Sequence, residues 1–452
     1  MIFDDHDTIV APATPAGGAL CLVRLSGERA IELCDCLFQG RRPLSEAATA
    51  TAHYGYIMDG KEVVDDVVVT LYKAPRSYTG EDTVEISTHG SRYIVERVLA
   101  LFVKAGARMA EPGEFTRRAF LAGRMDLSQA EAVADIISAD SRAAYAVAST
   151  QMRGGYSAAL ADLRERLVKI MSLLELELDF SEEDVEFADR TELNNLLNDL
   201  RDTVGSLCHS FSLGNALKHG VTVAIAGRPN VGKSTLLNAF AGEDRAMVSA
   251  IAGTTRDTVE VVKNLGGVNF RFIDTAGLHE SADELERMGI ERTTEAMRRA
   301  MIILWLTDDE NSSITQDLAG YEPAEDQKVY RVLTKNDLKE FESGVESAIP
   351  TIAISAKTGA GMDALQQCLA SAADATAAYA GDVIVSNRRH YDALCQAEEA
   401  LTAAINGLQM GTPTDLLSED IRQVVHHIGL ITGEISSNDI LHSIFANFCI
   451  GK

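Results

Sequence analysis

One stretch, VTVAIAGRPNVGKSTLLNAF (221–240), constrains the fold more than any other. VTVAIAG has the β-branched and small apolar texture of a buried strand. GRPNVGKS (227–234) then fits G-x-x-x-x-G-K-[ST], and TLLNAFAG reads as a helix. A strand, a glycine-rich loop and a helix in that order build a phosphate cradle: backbone N–H groups and the helix N-terminus face the anion. Asn230, Val231, Gly232, Lys233, Ser234 and Thr235 line that loop. Lys233 neutralises β/γ-phosphate charge and Ser234 offers its hydroxyl to Mg²⁺.

Three further motifs follow in order. GTTRD (253–257) supplies Thr255 as a switch threonine for Mg²⁺ and the γ-phosphate. FIDTAG (272–277) ends a strand with Asp274, a Walker-B-type carboxylate, followed by Thr275, Ala276 and Gly277 beside the γ-phosphate. TKND (334–337) places Thr334, Lys335 and Asp337 at the base, where Asp337 reads guanine's N1–H and exocyclic amine. SAK (Ser355, Ala356, Lys357) is the supporting loop. The series points to GTP. Leu278 follows Gly277 where Ras-type enzymes carry a water-orienting Gln, so another group must supply the base. Asn230 leaves two readings open. Its carbonyl with neighbouring loop carbonyls suits a hard monovalent cation such as K⁺, or it is a turn residue stabilising its own backbone.

At 452 residues the chain exceeds one ordinary core. Residues 1–120 read as mixed α/β, with strands at 9–15, 19–25, 63–72 and 81–88 and a helix stopping at Gly106. From 118 to about 214 the texture is helical, with Leu160, Leu163, Leu167, Ile170, Leu174 and Leu178 at three- and four-residue spacing; it returns after about 382. The expected architecture is multidomain, α/β and all-α: an N-terminal α/β domain (1–117), a discontinuous helical domain (118–214 and 382–452) and an inserted P-loop domain (215–381).

Seven scattered cysteines argue against a disulfide framework and for a reducing compartment, and Cys34-Asp35-Cys36 has no second ligand cluster for zinc. The acidic start lacks signal-peptide character, and no run of about 18 apolar residues would span a bilayer, so a cytoplasmic protein without membrane contact is expected. A net charge of −26 disfavours a general nucleic-acid binder while allowing a local basic surface, for which RRAFLAGR (117–124) and NRRHY (387–391) are candidates.

DTIVAPATP (7–15), RLSG (24–27), SYTGEDTVEI (77–86), EPGEFTRRAFLAGRMDLSQAEAV (111–133), LERMGIER (285–292), GEISSNDIL (433–441) and the terminal FCIGK, together with the nucleotide motifs, resemble the MnmE (TrmE) family of tRNA-modification GTPases from end to end. The resemblance implies a folate-binding N-terminal domain that forms a homodimer and a helical domain split by a Ras-like G domain. It also implies K⁺-dependent GTP hydrolysis and an FAD-dependent partner, MnmG, in a heterotetramer. Together they install an aminomethyl-type group on C5 of a tRNA wobble uridine. The one-carbon unit comes from 5-formyl- or methylene-tetrahydrofolate.

Carried over by position, Asn230, Ser249, Ile251 and Thr254 fall where the family holds K⁺, and Ser234 and Thr255 where it holds Mg²⁺. Glu286, twelve residues after Asp274, matches the glutamate that activates water, which answers the Leu278 problem. Arg24, Glu85, Arg124 and Lys452 match folate positions. Arg124 and Ser249 stand where the family has Lys and Thr, and Thr334 where it has Asn, from which weaker nucleotide affinity is expected.

In FCIGK, Gly451 and Lys452 rule out a prenylation box, which wants aliphatic residues after the Cys. The resemblance makes the segment a reach-over towards folate, with Cys449 as candidate nucleophile or acid in the uridine chemistry. Two other classes compete. One is a regulatory or ribosome-assembly GTPase whose flanks only bind; the other is a folate enzyme that uses GTP merely as a ligand.

Overall fold

The computed structural model describes residues 7–179, 190–242, 247–248, 260–274, 293–318, 320–324, 327–339, 341, 349–377, 383–436, 438–446 and 448–452. They form two compact units. One comprises 1–137, 151–183 and 421–452, the other 138–150 and 184–420.

In the first unit, β1 (Ile9–Pro12), β2 (Leu20–Ser26), β3 (Phe38–Gly40), β4 (Thr51–Asp59), β5 (Glu62–Tyr72), β6 (Thr83–His89) and β7 (Arg108–Met109) form a sheet ordered β3-β4-β5-β6-β2-β1-β7. All its pairings are antiparallel except β1 with β7. In β5 the pleat sends Val67, Val69 and Leu71 inward and Asp66 and Val68 outward. Val10, Val23, Leu25, Val84 and Ile86 join this core with α1 (Ala30–Leu37) and α2 (Arg92–Ala105), which buries Val95, Val98 and Phe102. Helix α2 stops at Gly106, whose φ of 112° is the left-handed cap that glycine adopts without strain. β4 carries no clear strand signal in the sequence: Tyr54 and Tyr56 alternate outward around buried Gly55, which blurs the apolar pattern.

The same unit holds α3 (Glu114–Leu121), most of α4 (Leu127–Ser138), α6 (Gly155–Asp179) and α13 (Asn438–Phe445). Leu160, Leu163, Leu167, Ile170 and Leu174 are buried along α6, as the spacing predicts; the side chain of Leu178 lies outside the described residues. Leu441, Phe445 and Phe448 pack with Leu127 and Ala130, which brings the end of the chain onto α4.

In the second unit, β8 (Val221–Gly227), β9 (Met247–Val248), β10 (Glu260–Leu265), β11 (Val268–Asp274), β12 (Ile302–Thr307), β13 (Lys328–Leu333) and β14 (Thr351–Ala353) are ordered β14-β13-β12-β8-β11-β10-β9. β8, β11, β12, β13 and β14 run parallel. Strands buried on both faces read as continuous apolar runs, and all six residues of IILWLT in β12 are buried. α8 (Lys233–Ala241) and α10 (Met362–Ala377) contribute Leu236, Leu237, Phe240, Leu365 and Leu369 to the core. The unit also contains α5 (Arg142–Met152, through Thr150) and the short α9 (Ile314–Asp317).

α7 (Arg190–His219) leads into β8 and α11 (Arg388–Met410) follows the nucleotide sheet, and the two pack antiparallel. Arg190 lies 3.3 Å from the hydroxyl of Thr414, the first residue of α12 (Thr414–Thr432), and Val385 N–H donates to Ser210 Oγ at 3.1 Å near the other end. Helical segments on either side of the sheet therefore lie side by side. No helix among the described residues is long and apolar enough to cross a membrane.

Candidate functional site

The phosphate loop leaves β8 at Gly227 (φ 149°) and enters α8 at Gly232 (φ 104°), so both glycines take left-sided conformations that a side chain would strain. Space beyond Gly232 is open: an added Cβ would meet nothing within 4 Å. Asn230 sits at φ 62°, a conformation Asn tolerates better than most residues, which gives it a backbone role whatever it ligates. Lys233 Nζ donates to the carbonyls of Gly227 and Arg228 at 2.8 and 2.9 Å, so its ammonium closes over the loop where phosphate charge would draw it. Val231 is buried, whereas Ser234 and Thr235 are exposed at the first turn of α8. An exposed hydroxyl beside an open anion cradle fits a Mg²⁺–phosphate group.

Asp274 ends β11, paired in register with Ile225 of β8. Behind the loop, Thr334 is buried and donates to Val231 C=O at 2.7 Å. This hydroxyl ties the base motif to the phosphate loop. Lys335 takes φ 60° and its Nζ pairs with Asp308 at 2.7 Å. Asp337 accepts from Ser355 Oγ at 2.8 Å, which orients the carboxylate, while Ala356 and Lys357 continue the supporting loop. Ser249, Ile251, Thr254, Thr255, Thr275, Ala276, Gly277, Leu278 and Glu286 lie outside the described residues.

A second constellation occupies the first unit. Arg24 of β2 stands directly opposite Glu85 of β6, and its Nε and Nη2 both reach Glu85 Oε1, at 2.9 and 2.7 Å. Its Nη1 donates to Gly451 C=O at 3.3 Å, across 427 residues of chain. The guanidinium also lies over the rings of Tyr78 (5.4 Å) and Phe115 (5.6 Å), neither of which carries a role in the sequence reading although both sit inside the family-specific stretches. Gly451 has φ 93°, and a Cβ there would run into Pro12 C=O; Gly113 N–H donates to Cys449 C=O at 3.4 Å. FCIGK is thus seated on the sheet through its backbone, and the Cys449 side chain is exposed. Burial pushes the Lys452 ammonium below its ordinary pKa, Arg24 adds to that, and Glu85 and Cys449 pull it back. An anion arriving there would meet two cations and relieve their repulsion. Arg124 is exposed, and its stem lies 3.6 Å from a Cβ built on Gly80.

Of the two basic stretches, RRAFLAGR does not form a nucleic-acid surface at its start. Arg117 and Arg118 are buried, and Arg118 pairs with Asp7, Glu81 and Glu114. Burial opposes ionisation of Glu114, yet the hydrogen bonds and charges of Arg108 and Arg118 hold its carboxyl below the usual range. In NRRHY, Arg388 is exposed and pairs with Asp392, while His390 is buried. Asp35, between Cys34 and Cys36, accepts from the N–H groups of Leu44 and Ser45, and no cluster of three metal-binding side chains exists among the described residues.

Two family models match: the GTP-binding protein TrmE N-terminus over residues 8–124, and the MnmE helical domain over 127–449. The tRNA modification GTPase MnmE of Cytophaga hutchinsonii is 47% identical over 451 residues, covering 99% of this chain and 98% of that protein. The Bacteroides fragilis protein of the same name is 47% identical over 464 residues, covering 99% and 100%. Among solved structures, the G domain of the T. maritima FeoB iron transporter matches 33% of this chain and 97% of that one at 25% identity, with a TM-score of 0.25. The chain belongs to the MnmE family of tRNA modification GTPases.

Proposed function

We propose that this chain is a K⁺-dependent GTPase which, with an FAD-dependent MnmG-type partner, adds an aminomethyl-type group to C5 of a tRNA wobble uridine using a tetrahydrofolate one-carbon unit. The observation that carries the reading is the junction of Arg24, Glu85 and the FCIGK segment. A plain regulatory GTPase has no use for a carboxylate–guanidinium pair closed by its own last residues. There the Glu85 carboxylate accepts pterin donors through Oε2, while Arg24, Lys452 and, from its exposed loop, Arg124 attract the anionic glutamyl tail. Cys449, exposed beside this site, is the thiol for attack on the uracil ring.

In the nucleotide unit, Lys233, Ser234 and Thr255 hold phosphate and Mg²⁺. Asn230, Ser249, Ile251 and Thr254 hold K⁺ in place of an arginine finger, and Glu286 positions water where Leu278 is unable to. Thr275, Ala276 and Gly277 follow the γ-phosphate, and Asp337 reads guanine. The domain division that goes with this is 1–117, 118–214 with 382–452, and 215–381, in a cytoplasmic homodimer paired with the flavoprotein.

The test is nucleoside analysis of tRNA from cells lacking the gene, complemented with the wild-type chain, Glu286→Ala or Cys449→Ser. Modified wobble uridine restored by the wild type alone supports the reading. Full modification in the deletion strain overturns it, and equal GTP turnover in KCl and NaCl overturns the K⁺ assignment.

A further inference from the structure

Helices α7 and α11 bring two thiols together. The Cys395 Sγ–H of α11 donates to Cys208 Sγ of α7 at 3.9 Å, a sulfur–sulfur contact between residues 187 positions apart. Cys208 is buried and Cys395 half-buried, so the pair has one shielded and one approachable member. Gly205, one turn before Cys208, lets the helices close: a Cβ there would sit 3.1 Å from Glu398 Oε1.

The surroundings are chemical rather than merely apolar. Tyr391 hydrogen-bonds Cys395, which holds the phenol's own proton in place, and Tyr391 stacks on Phe211 at 4.4 Å beneath the guanidinium of Arg388. Burial, the Cys395 thiol and the Glu398 carboxylate together push the Cys208 thiol up. Arg388, Tyr391, Cys395 and Glu398 recur at three, four and three residues, so they form one stripe of α11 facing Cys208 and Phe211 of α7.

We propose that Cys208 and Cys395 form a peroxide-oxidisable dithiol, a disulfide site separate from both the nucleotide and the folate constellations. The approachable Cys395 thiolate attacks a hydroperoxide oxygen and the O–O bond breaks. Cys395 becomes a sulfenic acid, and the released hydroxide takes up the thiol proton as water. Cys208 sulfur then attacks the Cys395 sulfur, the S–S bond forms and the S–O bond breaks. Glu398 accepts the Cys208 proton and passes it to the departing hydroxide as a second water. Two thiols and one peroxide thus give one disulfide and two waters. The sulfurs need close by only about 2 Å to reach the covalent length of about 2.05 Å. The bond would tie the helix that enters the nucleotide sheet to the helix that leaves it, and reduction by a cellular thiol would release it.

The experiment treats the reduced full-length protein with stoichiometric hydrogen peroxide, blocks remaining thiols by alkylation, and maps peptides without reduction. Exposed Cys36 and Cys449 serve as internal references. The expected result is a Cys208–Cys395 linked peptide, formed about tenfold faster than oxidation of either reference thiol and lost on adding a thiol reductant. In Cys208→Ser, dimedone should trap Cys395 as its sulfenic acid, and Cys395→Ser should leave Cys208 alkylatable. A wild-type digest in which Cys36 and Cys449 oxidise while Cys208 and Cys395 stay alkylatable overturns the proposal. So does Cys208→Ser without dimedone labelling of Cys395.

Discussion

Among the described residues each unit is built on a seven-stranded sheet, yet the two sheets hold their chemistry in different places. In the nucleotide sheet the parallel strands β8, β11, β12, β13 and β14 end on the same side. The phosphate loop, Asp274, the base motif and the supporting loop therefore converge with no long reach. In the N-terminal sheet neighbouring strands mostly run in opposite directions, so consecutive loops alternate between its ends. Its constellation is a cross-strand pair, Arg24 with Glu85, closed by Gly451 from the far end of the chain. Parallel topology makes a site from local motifs; antiparallel topology makes one from side chains brought together by distant segments.

If that contrast is right, a single local change should disable the nucleotide site most severely. Lys233→Ala removes the ammonium now held by the Gly227 and Arg228 carbonyls, and should cut GTP turnover by about 100-fold or more, read as steady-state phosphate release. A loss under tenfold would mean that Lys233 mainly braces the loop. The second site should fail through its long-range contact. Arg24→Ala leaves Glu85 without its hydrogen-bonded guanidinium and the Gly451 carbonyl without its donor, and should weaken reduced-folate binding by about 30-fold in calorimetry. Hydrogen exchange in a peptide spanning 446–452 should rise in the same variant. An unchanged exchange rate would show that Arg24 does not seat this segment.

The same topology explains what could be read in advance. G-x-x-x-x-G-K-S and TKND announce their roles because spacing along the chain equals spacing in space. Arg24 and Glu85 read as ordinary surface charges, and only the family resemblance singles them out. Tyr78 and Phe115, which lie against Arg24 from a loop and from α3, carried no periodic signal. RRAFLAGR reads as a candidate basic surface, yet Arg118 is buried against Glu114 and Asp7, because a sequence gives the charges and not their partners. β4 escaped because its outward tyrosines are as apolar as its inward residues. The thiol pair escaped because nothing local relates residues 208 and 395.

A smaller effect sharpens the nucleotide side of the contrast. Thr334 stands where the resemblance expects Asn, and its hydroxyl bonds Val231 C=O and lies 3.4 Å from Thr307 C=O. Thr334→Ala leaves those buried carbonyls with one donor fewer. It should cost about 1 kcal/mol, roughly fivefold in GTP affinity by fluorescent-nucleotide titration. Affinity equal to the wild type would show that the bond between the base motif and the phosphate loop is dispensable.

The smallest effect concerns how the antiparallel sheet secures a strand end. His89 closes β6, the strand that carries Glu85. Its Nδ1 lies 2.7 Å from Asp65 Oδ1 while its backbone N–H donates to Asp65 Oδ2 at 2.8 Å. Hydrogen bonding to Asp65, with the attraction of that carboxylate, raises the imidazole pKa above its ordinary 6.5. The folded state therefore holds the proton more tightly than the unfolded one. The stabilisation is complete below pH 6.5 and fades as pH rises through the raised folded value. Because the ring is exposed, the effect should be small and weaken with salt. An NMR titration of the His89 ring should give a midpoint above 6.5, moving down on Asp65→Asn. A midpoint at or below 6.5 would leave the backbone bond as Asp65's whole contribution, so that this strand end is held by turn geometry rather than by charge.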